Sequence, residues 1–156
     1  MNAGRRSGAS RGLHLLVCAA GLALLTACAP QAPDDSSWRD QAHQSLEDVG
    51  SNVSTMSLVL RLAQKGRMFG KYQQVVALNS ETNAGRTTDH FSGEQPPPQA
   101  DSTYHDVTTV LSDASDLLSD VRIALVRRDS SQYAGLAREL AGMTARLSKA
   151  ESAVRR

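Results

Sequence analysis

From Trp38 onward the apolar residues recur in threes and fours, the spacing of helices that bury one stripe. The first such stretch carries Ala42, Leu46, Val49, Val53, Met56, Leu60 and Ala63, with steps that alternate between four and three. That alternation is a heptad seam, which predicts a long helix packed against others over residues 37–65. Ser37 with Asp40 three positions on resembles a capping box, and Gly66 is a natural C-terminal stop. A second helix is predicted over 70–91, with a weaker face. Tyr72, Val75 and Val76 are apolar, but the same period then brings Asn79, Asn83, Arg86 or Thr87, and His90 inward. Either this helix frays after Leu78 or it lines a polar strip, and Gly85 favours fraying. Pro96, Pro97 and Pro98 then break the pattern and favour polyproline II.

A third helix, 102–128, is expected to start at a cap from Asp101 or Ser102. Its seam is Tyr104, Val107, Leu111, Ala114, Leu118, Val121 and Leu125, widened by Val110, Leu117 and Ala124 so that it meets more than one neighbour. Arg127 and Arg128 in its last turn complement the helix dipole. Asp129 is the expected cap of a fourth helix, 130–155, with seam Tyr133, Leu136, Leu140, Met143, Leu147, Ala150 and Val154. In an antiparallel hairpin the two last seams pair without remainder: Leu125 with Tyr133, Leu118 with Leu140, Leu111 with Leu147, Tyr104 with Val154. Short connections force antiparallel neighbours, so the fold class expected is all-α, an up-down-up-down four-helix bundle over 37–156. The structural alternative is an extended helical hairpin that buries the same stripes by dimerising.

The start of the chain follows a different rule. Residues 1–12 hold Arg5, Arg6 and Arg11 without an acid, and Leu13 to Leu25 is an apolar run too short to span a bilayer, which needs about 20 residues. This is the layout of a secretion signal, here 1–27. It closes on Leu25-Thr26-Ala27-Cys28, which resembles the bacterial lipobox. The resemblance implies a diacylglyceryl thioether on Cys28, cleavage before it, and a protein held at the outer face of the cell membrane by its acyl chains. Cys18 lacks small residues before it and belongs to the apolar run. Arg5-Arg6 leaves twin-arginine export open beside the general secretory route. Residues 28–36, with Pro30 and Pro33, form the tether.

Both cysteines are thereby accounted for, so no disulfide or thiolate site is expected in the mature chain. Without the three leader arginines, the 17 Lys and Arg fall to 14 against 16 Asp and Glu. So even a balance argues against nucleic acid or an acidic surface as partner. The Asn52-Val53-Ser54 sequon carries no meaning in a bacterial chain. The chain is similar to small predicted helical lipoproteins of high-GC Gram-positive bacteria, on the lipobox, Val75-Val76-Ala77-Leu78-Asn79-Ser80-Glu81, Pro96 to Pro98, and Leu111-Ser112-Asp113-Ala114-Ser115-Asp116-Leu117-Leu118. That resemblance implies a fold and a location and no chemistry.

No Gly-rich phosphate loop, nucleophile elbow or HExxH pair is present, so no enzyme and no cofactor is expected. The function expected is a lipid-anchored structural or protein-interaction module of the cell envelope, with an envelope protein as partner. An apolar corner at Leu58, Val59, Leu62, Met68 and Phe69, off the first seam and in the turn after it, is the candidate partner site. Asp106, Asp113 and Asp120 recur every seven residues on the third helix, with Asp116 nearby, as a solvated face. The fourth helix has a small-residue outer face, Ala134, Gly135, Ala141, Gly142, Ala145, Ser148 and Ser152. The alternative function is a metal- or small-ligand-binding lipoprotein. The up-down order sends His43, His90 and His105 to one end, in a layer with Asp40, Asp89 and Asp106, where they would make a metal site or a cluster that charges below about pH 6.5.

Overall fold

The computed structural model describes residues 34–155, and the signal, the lipobox and Cys28 lie outside them. Four helices follow in order: α1 (Asp35–Gln64), α2 (Gly70–Ser92), α3 (Asp101–Arg127) and α4 (Tyr133–Val154), with a 3-10 turn at Pro98–Ala100 leading into α3. Each helix packs on its sequence neighbour, α4 returns to α1, and α1 also meets α3 across the diagonal. Ion pairs and hydrogen bonds such as Glu81 with Arg122 and Thr88 with Ser115 run between oppositely directed helices, giving the up-down-up-down bundle. The turns 65–69 and 128–132 therefore share one end, the loop end; residue 34, the linker 93–97 and Arg155 share the other, the termini end. Pro33–Arg156 is one compact unit with its own continuous core, as expected of a region that folds by itself.

The seams of α1, α3 and α4 are the core. Ala42, Leu46, Val49, Val53, Met56 and Leu60 of α1 are all buried, and so are Val107, Leu111, Ala114, Leu118, Val121 and Leu125 of α3. Leu136, Leu140, Met143, Leu147 and Val154 face them from α4. Asp113 and Arg146 form an ion pair that falls between the Leu111–Leu147 and Ala114–Met143 layers, in the register that the two seams require. The stripes close within a single chain, so the dimerising hairpin is not needed to bury them.

α2 departs from expectation. It does not fray but runs unbroken to Ser92, and the residues it buries are Ala77, Ser80, Ala84 and Phe91. Tyr72 and Val75 point outward, with Leu78. The reason is size: small side chains let α2 lie close between α1 and α3, and Thr88 adds a polar seam by hydrogen bonding the Ser115 hydroxyl at 3.0 Å and the Leu111 carbonyl at 3.4 Å. A hydrophobicity period sees bulk, and here bulk is on the outside. At the termini end Phe91 is fully buried between Trp38 and Tyr104, with ring centroids 6.0 and 5.8 Å away. Aromatic pairs at such spacing add to the area they bury. The Tyr104 hydroxyl donates to the Ser92 carbonyl at 2.7 Å, closing the last turn of α2.

The helix ends correct several expected caps. α1 starts two residues early because Asp34, not Ser37, is its N-cap: the Asp34 carboxylate accepts from the Ser37 backbone N–H at 2.7 Å. α3 has no side-chain cap from Asp101 or Ser102; Pro97 has the extended backbone expected of the proline run, but Pro98 opens a 3-10 turn that merges into the helix. α4 begins at Tyr133, not at 130. Asp129 instead folds its carboxylate over the intervening turn, accepting from Ser131 and from the Gln132 side chain at 2.6 Å. At the loop end α1 and α3 both finish in the same six-residue bonding pattern. Arg67 N–H reaches the Leu62 carbonyl and Gly66 N–H that of Ala63; likewise Asp129 N–H reaches Ala124 and Arg128 N–H reaches Leu125.

Candidate functional site

The termini end brings a small charged cluster together, though not the one expected. His43 of α1 points toward α4, where its Nε2 lies 3.7 Å from Glu151 and its Nδ1 lies 3.4 Å from Glu47, one turn further along α1. The Arg155 guanidinium also contacts Nε2. One ligand atom from each of His43, Glu47 and Glu151 fits within 4.8 Å of the others, the one such group among the described residues. An open cleft of about 400 Å³ beside it is lined by Ser36, Arg39, Asp40 and Arg155.

His90 and His105 are not part of it. His90 is on the groove between α1 and α2, exposed, 3.3 Å from the Gln41 amide and 3.9 Å from Glu94. That groove, about 560 Å³, takes Asp40, Gln44, Asp48 and Arg86 in its walls. His105 is exposed and lies beside the Tyr104 ring. The three histidines share an end, as the topology demands, but they sit on three sides of it, so the expected triad is corrected. The signal for the true cluster was half legible: His43 and Glu47 are four apart on one helix face, while Glu151 joins only once α4 is docked.

The loop end presents a different surface. Phe69 is 89% exposed, Tyr72 60% and Leu58 49%. Leu62 and Met68 are half-buried, Met68 against the core, and Val59, expected in the same corner, is buried and belongs to the core. In or beside the first turn stand Lys65, Arg67 and Lys71, and at the other turn Arg127 and Arg128, while Arg61, one turn before the end of α1, lines the groove between α1 and α4; all six are exposed. Among the described residues none of the six forms an ion pair with a carboxylate. The one acid in either turn is Asp129, whose carboxyl is held below the usual carboxylate range by hydrogen bonds from Ser131 and Gln132, with Arg127 nearby. Burial pushes the neighbouring Tyr133 phenol up, and Asp129 adds to the shift. The near-neutral balance of the whole chain thus hides a strong segregation, which composition alone cannot register.

The remaining sequence features lie on the flanks. Asp113 is taken up by Arg146 at the α3–α4 edge, while Asp106, Asp116 and Asp120 are exposed. The small face of α4 is open to solvent, with nothing within 4 Å of a Cβ placed at Gly135 or Gly142. Among the described residues no helix is long and apolar enough to cross a membrane.

No family model, no curated protein and no solved structure matches this chain. What it does must therefore be argued from its own residues.

Proposed function

We propose that the chain is an extracytoplasmic lipoprotein that serves as a structural or protein-interaction module at the cell envelope. Cys28 is its acylated tether on the outer face of the cell membrane, and the helical unit presents its loop end to a partner. The observation that carries this is the concentration of exposed apolar and cationic side chains at one end, Leu58, Phe69 and Tyr72 with Leu62 and Met68 half-buried beside them. Exposed apolar groups rimmed by polar ones mark contact surfaces. The lipobox supports the tether. Metabolic acyl labelling with cell fractionation tests it: Cys28→Ser should lose label and leave the membrane fraction, and a variant that labels and pellets as the native protein does would end the reading.

A second reading, metal binding, is favoured by the cluster of His43, Glu47 and Glu151 rather than by the three histidines. One imidazole and two carboxylates are a donor set that suits zinc, and Arg155 would have to yield its place on Nε2. Calorimetric titration of the unit 33–156 with zinc decides it. Heat of binding that vanishes in both His43→Ala and Glu151→Ala supports a site; no heat in the native unit removes it.

A further inference from the structure

We infer that the loop end docks on an anionic lipid surface, with Phe69 entering the interface and Arg67, Lys71 and Arg128 held at the level of the headgroups. This deepens the interaction-module reading and rests on its choice of the loop end, but not on the acylation of Cys28.

Three observations converge on it. The first is the shape and chemistry of the turn 65–69. Phe69, 89% exposed, projects from a turn instead of lining a groove, and Tyr72 follows it one turn into α2. A projecting aromatic has nothing to fill on a flat polyanion and needs a matching pocket on a protein, whereas a fluid lipid interface takes it anywhere. Aromatic side chains at the interface with cations beside them are the pattern of surface-seated segments. The second is charge. Lys65, Arg67, Lys71 and Arg128 lie in or beside the two turns and form no ion pair with a carboxylate among the described residues, so their charge is available, with Arg127 beside Asp129 behind them. Each Lys or Arg near an anionic leaflet adds to attraction, and the effect acts only within a screening length.

The third is the backbone at Arg128. Its φ is +55°, a left-handed conformation that glycine adopts freely and that Gly66 supplies with φ +63° at the matching end of α1. The chain keeps a cation there despite the strain. The Arg128 guanidinium leans across onto the start of α2: its Nη2 lies 3.7 Å from where a Cβ on Gly70 would be, next to Phe69. Arg128 thereby brings a charge from the second turn beside the aromatic of the first.

The test uses the isolated unit 33–156 with vesicles of neutral phosphatidylcholine and with vesicles that contain phosphatidylglycerol, read by co-sedimentation. The unit should pellet with the anionic vesicles only, and should be released at an ionic strength near 1 M, where screening shortens to about 3 Å. Replacing Arg67, Lys71 and Arg128 together by Gln should weaken binding on the order of a hundredfold. Phe69→Ser should weaken it while leaving thermal stability unchanged, since this side chain touches no core. Phe69→Trp should show a blue-shifted emission on anionic vesicles, against the constant signal of buried Trp38. Equal binding to both vesicle types, or none to either, overturns the proposal. So does capture by a soluble polyanion that Phe69→Ser does not affect. If vesicles are ignored while a crosslinker at residue 69 captures an envelope protein in cells, the lipid surface is overturned and the interaction module stands.

Discussion

Arg128 occupies at the end of α3 the left-handed backbone position that Gly66 occupies at the end of α1, within the same bonding pattern and at the same end of the bundle. For a residue with a Cβ this conformation costs about 1 kcal/mol. Arg128→Gly is therefore expected to stabilise the unit by up to that amount, raising Tm by roughly 4 °C. The same variant should bind anionic vesicles less well, since it removes one charge. Thermal melts and sedimentation on one preparation check both signs; a fall in Tm would show that the Arg128 side chain stabilises more than its backbone costs.

The inner face of α2 is set by Phe91 and small residues rather than by its bulky apolar ones. Phe91→Ala should cost about 3–5 kcal/mol, the range for emptying a buried aromatic site. Tyr72→Ala, on the exposed side, should stay within about 0.5 kcal/mol. Urea unfolding of the two variants distinguishes this arrangement from one in which Tyr72 faces inward, which would reverse the order.

How far this was legible in the sequence depended on side-chain size. In α1, α3 and α4 the large apolar residues, Leu58 and Val126 apart, lie on the inner side, so a heptad read from Ala42 to Ala63, or from Val107 to Leu125, coincides with the core. In α2 the rule inverts, because Ala77, Ser80 and Ala84 are chosen for closeness and leave Tyr72, Val75 and Leu78 to the solvent. Phe91 sits beside the proline break and escaped the count. The candidate sites divided the same way. The exposed corner at Leu58 and Phe69 followed from position alone, whereas the pairing of His43 with Glu151 depends on how the first and last helices are docked, which no spacing along the chain encodes.

Leu118 is fully buried where α3 faces α4. Leu118→Asp loses that burial and places an unpaired carboxylate in the core, at a cost of about 3 kcal/mol or more. Ile123→Asp, at a half-buried position on the rim of α3, should cost clearly less. Comparable melts for the two would break the pairing of these helices.

Acid should loosen both the start of α1 and the turn before α4. The Asp34 carboxyl is lowered from its ordinary 3.8 by the Ser37 backbone N–H first, then by the Ser36 and Ser37 side chains. Asp129 is lowered from the same value by Ser131 and Gln132. Because the folded chain holds both carboxylates in their charged form, their stabilising effect is present above pH 3.8 and is lost as pH falls through their lowered folded values. Asp34→Asn should flatten part of this dependence in melts recorded across the acid range.

On the alkaline side the sign reverses. The Tyr133 phenol is raised above 10.0 by burial first and by Asp129 second, so the folded state holds its proton more tightly than the unfolded chain does. Stability is complete below pH 10.0 and falls as pH rises through the folded value. Tyrosinate absorbance should show one late-titrating phenol, absent in Tyr133→Phe.

The separation of the two ends has a consequence for how the molecule can be used. α1, with 30 residues, sets them about 45 Å apart, several times the roughly 8 Å over which charges sense each other at physiological salt. The basic tip and the carboxylate-rich opposite end are electrically deaf to one another. Whatever engages one leaves the affinity of the other untouched, so changes at the two ends should combine additively. On the proposed reading the bundle serves as a spacer with two independent heads, fitted to bridge what it meets and not to relay a signal between them.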